Sequence, residues 1–193
     1  MKKKLIITIS LIVLLVMVAG VAVAAFGDKG EVLGSSFTVG SADIKLLEDL
    51  ANGTSSDNLV DEISGPSFAN ISPNWTEDYP MMIYNNATTH IQLTSNADYE
   101  TVNDLDDLRQ IIFVEPINWG DSNNDGLVDD GELGSSFGRK TIIKWKTEGY
   151  DLSSVAPGGV KGLILRFSTD AVSDTKQGAS AIFDFEFDSL GID

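Results

Sequence analysis

The segment Ala181-Ile182-Phe183-Asp184-Phe185-Glu186-Phe187-Asp188 constrains the fold of this chain more than any other stretch. Its apolar and acidic residues alternate with a period of two, which suits a strand with one dry face and suits no helix. Phe183, Phe185 and Phe187 share that face with Ala181, and each buried ring is worth about 1.5–3 kcal/mol. The segment is therefore predicted to be a core strand, with Asp184, Glu186 and Asp188 turned to water. The same rhythm recurs at Phe37 and Val39, at Ala42, Ile44 and Leu46, at Ile91 and Leu93, and at Leu163, Leu165 and Phe167. Met81-Met82-Ile83-Tyr84 is a short apolar run, and Ile111-Ile112-Phe113-Val114 is a β-rich one closed by Glu115-Pro116. Turn-rich stretches at residues 52–56, 64–67 and 156–159 separate these elements. Helical signals are sparse. Asn103 is placed to cap a turn through Asp104-Leu105-Asp106-Asp107-Leu108, while residues 141–145 fit strand or helix. Many short strands and few helices predict one all-β domain, an antiparallel jelly-roll-like β-sandwich with short helical insertions.

The first residues follow a different rule. Lys2, Lys3 and Lys4 precede an apolar run over residues 5–18, and Ala19-Gly20-Val21-Ala22-Val23-Ala24-Ala25 is a small-residue stretch. That order is the signature of a secretory signal peptide, here residues 1–24, with cleavage after Ala24 or Ala25. A retained membrane anchor is the alternative, but no positive cluster follows, and Asp28 and Glu31 lie just beyond. Export by a signal peptidase, a secreted or cell-surface location and no stable membrane insertion after cleavage are the resulting expectations. The full chain carries a formal charge of −16. Losing three lysines and no carboxylate takes it to −19, a field that repels nucleic acid and favours cations. With no cysteine, disulfides contribute nothing to stability.

One motif carries specific chemistry. Asp121-Ser122-Asn123-Asn124-Asp125-Gly126-Leu127-Val128-Asp129-Asp130-Gly131-Glu132 matches the pattern D-x-[DN]-x-[DN]-G-x5-E at every fixed position. Calcium asks for oxygen donors at alternate positions, a sharp central turn and a closing bidentate carboxylate. The predicted ligands are Asp121, Asn123 and Asp125 by side chain, Leu127 by its carbonyl, Asp129 directly or through water, and Glu132 by two oxygens. Gly126 permits the turn, and Val128 is expected to tuck the loop against its neighbour. The flanks lack long helices and no second loop exists, so the expectation is a single structural Ca2+ site in an insertion at residues 119–134.

Catalytic signals are missing. His90 is the sole histidine, on the polar side of its strand, and neither H-E-x-x-H nor G-x-S-x-G occurs. A non-enzymatic role is expected. Sequons begin at Asn52, Asn70, Asn74 and Asn86, and would lie in surface loops if the host glycosylates asparagine; chance in a chain rich in Asn, Ser and Thr also accounts for them.

Three stretches together resemble the TasA/camelysin family of secreted biofilm-matrix fibre and pilus proteins. They are Ala24-Ala25-Phe26-Gly27-Asp28 followed by Ser36-Phe37-Thr38-Val39-Gly40-Ser41-Ala42-Asp43-Ile44; the turns Ile71-Ser72-Pro73-Asn74-Trp75-Thr76 and Asn85-Asn86-Ala87-Thr88; and Gln177-Gly178-Ala179-Ser180-Ala181 leading into the last strand. Asn74 and Ala87 stand where that family usually has glycine. The resemblance implies an extracellular fibre or pilus subunit that assembles head-to-tail with copies of itself by donor-strand addition. In this chain residues 25–35 form the donor segment, with residues 36–193 as the sandwich; other matrix or surface components stay open as partners. A monomeric, calcium-stabilised surface adhesion module is the alternative, and a secreted metallopeptidase, suggested by the name camelysin, lacks a zinc motif here.

Overall fold

The computed structural model describes residues 27–32, 43–129, 131–176 and 178–192, the first of these segments by its backbone. The predicted leader and the expected strand at Phe37, Val39 and Ala42 lie outside the described residues. Among the described residues, eleven strands and one short α-helix follow in order. They are β1 (Gly27–Val32), β2 (Ile44–Leu47), β3 (Leu59–Val60), β4 (Thr76–Asn85), β5 (His90–Asp98), β6 (Ile112–Trp119), β7 (Leu133–Ser136), β8 (Lys140–Thr141), α1 (Ile142–Glu148), β9 (Tyr150–Val155), β10 (Val160–Thr169) and β11 (Asp184–Ile192). One sheet has the order β1-β11-β5-β9; the other runs β3-β2-β4-β10-β6-β7, with β8 also paired to β6. Every pairing is antiparallel. The chain is an antiparallel β-sandwich, as its alternation predicts.

The period-two residues make the core between the sheets. Ile91, Leu93, Phe185 and Phe187 from the smaller sheet meet Ile44, Leu46, Met81, Ile83, Val114, Leu163, Leu165 and Phe167 from the larger. Residues 141–145, ambiguous in sequence, resolve into the start of α1: Thr141 accepts a hydrogen bond from the Lys144 N–H as N-cap. The helix drops Trp145 into the core, where it stacks on Phe185 at 4.8 Å between ring centroids and donates its indole N–H to Ser95 Oγ at 3.1 Å.

Four expectations are corrected. The β6 strand does not stop at Glu115-Pro116 but runs on to Trp119, because the proline needs no donor and its carbonyl accepts from the Phe137 N–H. No helix starts at Asn103. Two 3-10 turns, Thr101–Asn103 and Leu108–Gln110, flank Asp104, whose buried carboxylate accepts the Leu108 and Arg109 N–H groups and pairs with the Arg109 guanidinium. The last strand begins at Asp184, leaving Ala181 and Phe183 half-buried ahead of it. Glu186, expected in water, is only 8% exposed, because β11 is an inner strand flanked by β5 and β1.

The larger sheet is also dry on part of its outer face. Leu47, Met82, Ile117, Trp119 and Ile164 form a second cluster there, covered in part by Leu50 and Leu59. This explains why Met81-Met82-Ile83 is continuously apolar: the two faces of β4 each have a core to meet. Gly162 sits under Trp119, and a Cβ there would fall 2.4 Å from the Trp119 carbonyl oxygen.

Two tyrosines tie the core to the chain's turns. Tyr79 donates to the Ser64 carbonyl, and burial raises its pKa from 10.0 to about 12. Tyr150 lies 2.9 Å from the carbonyl oxygens of Val114 and Gly138, and burial raises its pKa as well. Both raised values favour the neutral phenol in the folded state. Their stability contribution is whole below pH 10 and is lost as the pH climbs through the folded value. Thermal midpoints are therefore expected to fall between pH 10 and 12, with a shallower fall in Tyr79→Phe; parallel slopes for the two proteins would refute it.

Candidate functional site

The acidic loop hangs between two strands of the larger sheet. Trp119 ends β6, Leu133 begins β7, and the two residues pair across the ladder. The Gly120 N–H donates to the Glu132 carbonyl at 3.1 Å, which closes the loop at its base. Strand flanks in place of long helices match the sequence-based expectation.

Inside the loop, the side chains of Asp121, Asn123, Asp125 and Glu132 organise backbone. Asp121 accepts the N–H groups of Asp125 (3.2 Å) and Gly126 (2.8 Å). Asn123 Oδ1 accepts from Asp125 N at 3.1 Å, and Asp125 Oδ1 accepts from Leu127 N at 2.8 Å. These successive Asx turns follow from the one-three-five spacing: short acceptors two residues apart each cap the N–H further along. The Asn123 amide in turn donates to Asp125 and Asp129, which draws positions three, five and nine together. Glu132 reaches back across the loop. Its Oε1 accepts from the N–H and hydroxyl of Ser122 at 2.7 and 2.8 Å, and its Oε2 from the Asp129 N–H and the Trp119 indole, both at 3.2 Å. These bonds, the Ser122 N–H first among them, hold the Glu132 carboxyl at about 2, well below its ordinary value of 4.5. Among the described residues no three carboxylate or histidine side chains converge as a ready metal cage. The loop oxygens accept from backbone N–H groups and from the side chains of Asn123, Ser122 and Trp119.

Two partners of the loop carry no signal in the motif. The Trp119 indole N–H on Glu132 links the closing carboxylate to the second apolar cluster. Gly126 packs against the 3-10 turn Leu50–Asn52, so closely that a Cβ would lie 2.7 Å from Ala51 N. Its φ of +74° is the left-handed turn the motif demands of glycine. Both strain and clash oppose any side chain there, so Gly126→Ala is expected to cost about 1–3 kcal/mol. Denaturant midpoints would measure this, and a loss below a few tenths would show that the contact is not made. Val128 is 37% exposed and Leu127 64% exposed, and the seat of the loop on the turn Leu50–Asn52 is made by Gly126.

A second feature is the sheet edge at β11. β1 is the edge strand of its sheet and bonds to β11 alone, over the register Gly27↔Leu190 to Val32↔Phe185. In the single chain this part of the predicted donor segment thus closes its own sheet; the remainder of residues 25–35 lies outside the described residues. The only histidine, His90, is exposed at the start of β5, as predicted. A cleft of about 270 Å³ is lined by Phe68, Trp75, Phe167, Phe183 and Phe185, with Ser67 and Ser180 at its wall. Among the described residues no helix is long and apolar enough to cross a membrane.

No family model and no curated protein matches the chain. Among solved structures, the ASH / PapD-like domain of human CEP192 (PapD-like domain 7) aligns over 79% of this chain and 87% of that domain, at 10% identity and a TM-score of 0.30.

Proposed function

We propose that the chain is a secreted structural subunit of the TasA/camelysin kind, which assembles into an extracellular fibre or pilus when residues 25–35 of one copy pair with the β11 edge of the next. The observation that carries this reading is the position of β1. It is a terminal strand at a sheet edge, bonded to β11 alone among the described residues, and its removal bares one side of β11 while the β11–β5 ladder stays in place. An identical segment from a second copy satisfies the same N–H and C=O groups in the same register. Because donor and acceptor lie at different places on the molecule, repetition builds an open filament. Exchange competes with the chain's own strand, so assembly favours concentrated protein.

The acidic loop is read as a single structural calcium site held by Asp121, Asn123, Asp125, the Leu127 carbonyl, Asp129 and Glu132. The support is the spacing of donors and the Asx-turn scaffold that already bends the loop. Calcium would exchange the backbone N–H groups on these oxygens for one cation, and would offset part of the local negative charge. A solitary calcium-stabilised adhesion module is the second reading, favoured by the closure of β1 on its own sheet. Negative-stain imaging of the leader-free protein with calcium separates the two: filaments support the first, and single particles at high concentration the second.

A further inference from the structure

The four sequons are not absorbed by this function, and their settings in the fold differ. Asn70 and Asn74 are exposed in the connection before β4, both with left-handed backbone (φ of 57° and 59°). Asn86 is exposed in the turn between β4 and β5. The side-chain amides of these three make no hydrogen bond within the described residues, whereas Asn52 donates its amide to Asp49 at 2.8 Å. The neighbouring Asn85 offers a contrast within one dipeptide. It is fully buried, donates to Thr89 and Val155, accepts from Ala87, and starts no sequon.

A left-handed turn explains an asparagine at 70 and 74, since Asn tolerates positive φ. It does not explain the hydroxyl two residues later. Ser72, Thr76 and Thr88 are exposed, and none of their hydroxyls makes a hydrogen bond within the described residues. Residues with no structural duty therefore complete the pattern that an oligosaccharide transferase reads. No sequon falls within β1, β11, β5 or β9, so sugars at these positions leave the smaller sheet and its β11 edge bare.

We infer that Asn70, Asn74 and Asn86 are N-glycosylation sites, supplied by a lipid-linked oligosaccharide diphosphate after export. The transfer joins the asparagine Nδ2 to the anomeric carbon of the sugar and breaks that carbon's bond to the diphosphate oxygen. Nδ2 gives up one proton, and the lipid diphosphate leaves. The inference rests on the export reading and is independent of polymerisation and of calcium.

The test uses the protein recovered from the organism that makes it, analysed by intact mass and by peptide mapping with tandem mass spectrometry. The expected result is a mass above that of the bare mature sequence, with glycan on the peptides holding Asn70, Asn74 and Asn86. Ser72→Ala and Thr88→Ala, which keep the asparagine and its turn, should each strip the glycan from their own site alone without shifting the melting midpoint. A mature amino terminus with a bare mass overturns the inference while leaving export intact. A chain that retains residues 1–24 overturns both. Glycan that persists after Ser72→Ala and Thr88→Ala also counts against it.

Discussion

Leader-free protein that lacks residues 25–35 is expected to remain folded and to form no filaments, where the intact mature chain forms them. The deletion removes an edge strand with one partner, β11, and leaves in place the cluster of described residues that joins the two sheets. Trp145, Phe185 and Phe187 stay packed, and β11 keeps its nine-residue ladder with β5. The truncated domain should melt a few degrees lower, since a six-residue ladder is lost while the core is kept. It should also become an acceptor without a donor. A synthetic peptide of residues 25–35 then restores the melting midpoint by mass action, by about 2.7 kcal/mol at a hundredfold excess over its Kd. Mixed with intact subunits, the truncated form should end filaments rather than extend them, shortening them in proportion to its share. Light scattering and negative-stain imaging read both effects. Filaments built by the truncated protein alone would dismiss the exchange, and so would failure of the peptide to bind.

How far the sequence discloses this molecule depends on whether the deciding contact is local. The alternation at Ile91 and Leu93, and at Phe185 and Phe187, is a property of each strand by itself and names its buried face directly. Met81-Met82-Ile83 could not be assigned a face, because the second face is covered by Leu50, Leu59 and Trp119 from distant segments. Asp104 looked like the first residue of a helix; its role in bonding the Leu108 and Arg109 N–H groups emerges only from the turn they form together. Pairing of β1 with β11 joins residues at the two ends of the chain, beyond the reach of any pattern in either. The acidic loop divides the same way. Its one-three-five spacing was read as a set of calcium ligands, and the Asx turns it forms at Asn123 and Asp125 are local contacts that the same spacing explains. The Trp119 indole on Glu132 and the seat of Gly126 on Ala51 depend on the sheet beneath, and were not legible.

That division makes Glu132 the most informative residue to change. Millimolar calcium is expected to raise the melting midpoint of the mature protein and to leave that of Glu132→Gln unmoved. A lone extracellular site of this type binds in the range of about 10⁻⁴–10⁻³ M. At 10 mM calcium, occupancy then stabilises the folded state by about 1.4–2.7 kcal/mol, a shift of roughly 3–11 °C for a domain of this size. Gln keeps one oxygen, enough for the Ser122 N–H and hydroxyl, but loses the second oxygen that accepts from the Asp129 N–H and the Trp119 indole, and with it the charge that the ion requires. Without calcium the variant should melt only slightly below the parent, because the two bonds lost at the second oxygen sit in an exposed loop at 3.2 Å and the missing charge relieves repulsion from Asp121, Asp125 and Asp129. The diagnostic is the difference between the two proteins with the ion, set against its near absence without it. Trp119 offers an independent readout: its indole rests on the same carboxylate, so its fluorescence should follow calcium in the parent and ignore it in Glu132→Gln. Identical melting curves for both proteins with and without calcium would leave the loop as a solvated turn held by its own Asx bonds. That outcome would leave the donor-strand proposal standing or falling on its own test, because β1 and β11 lie in the other sheet.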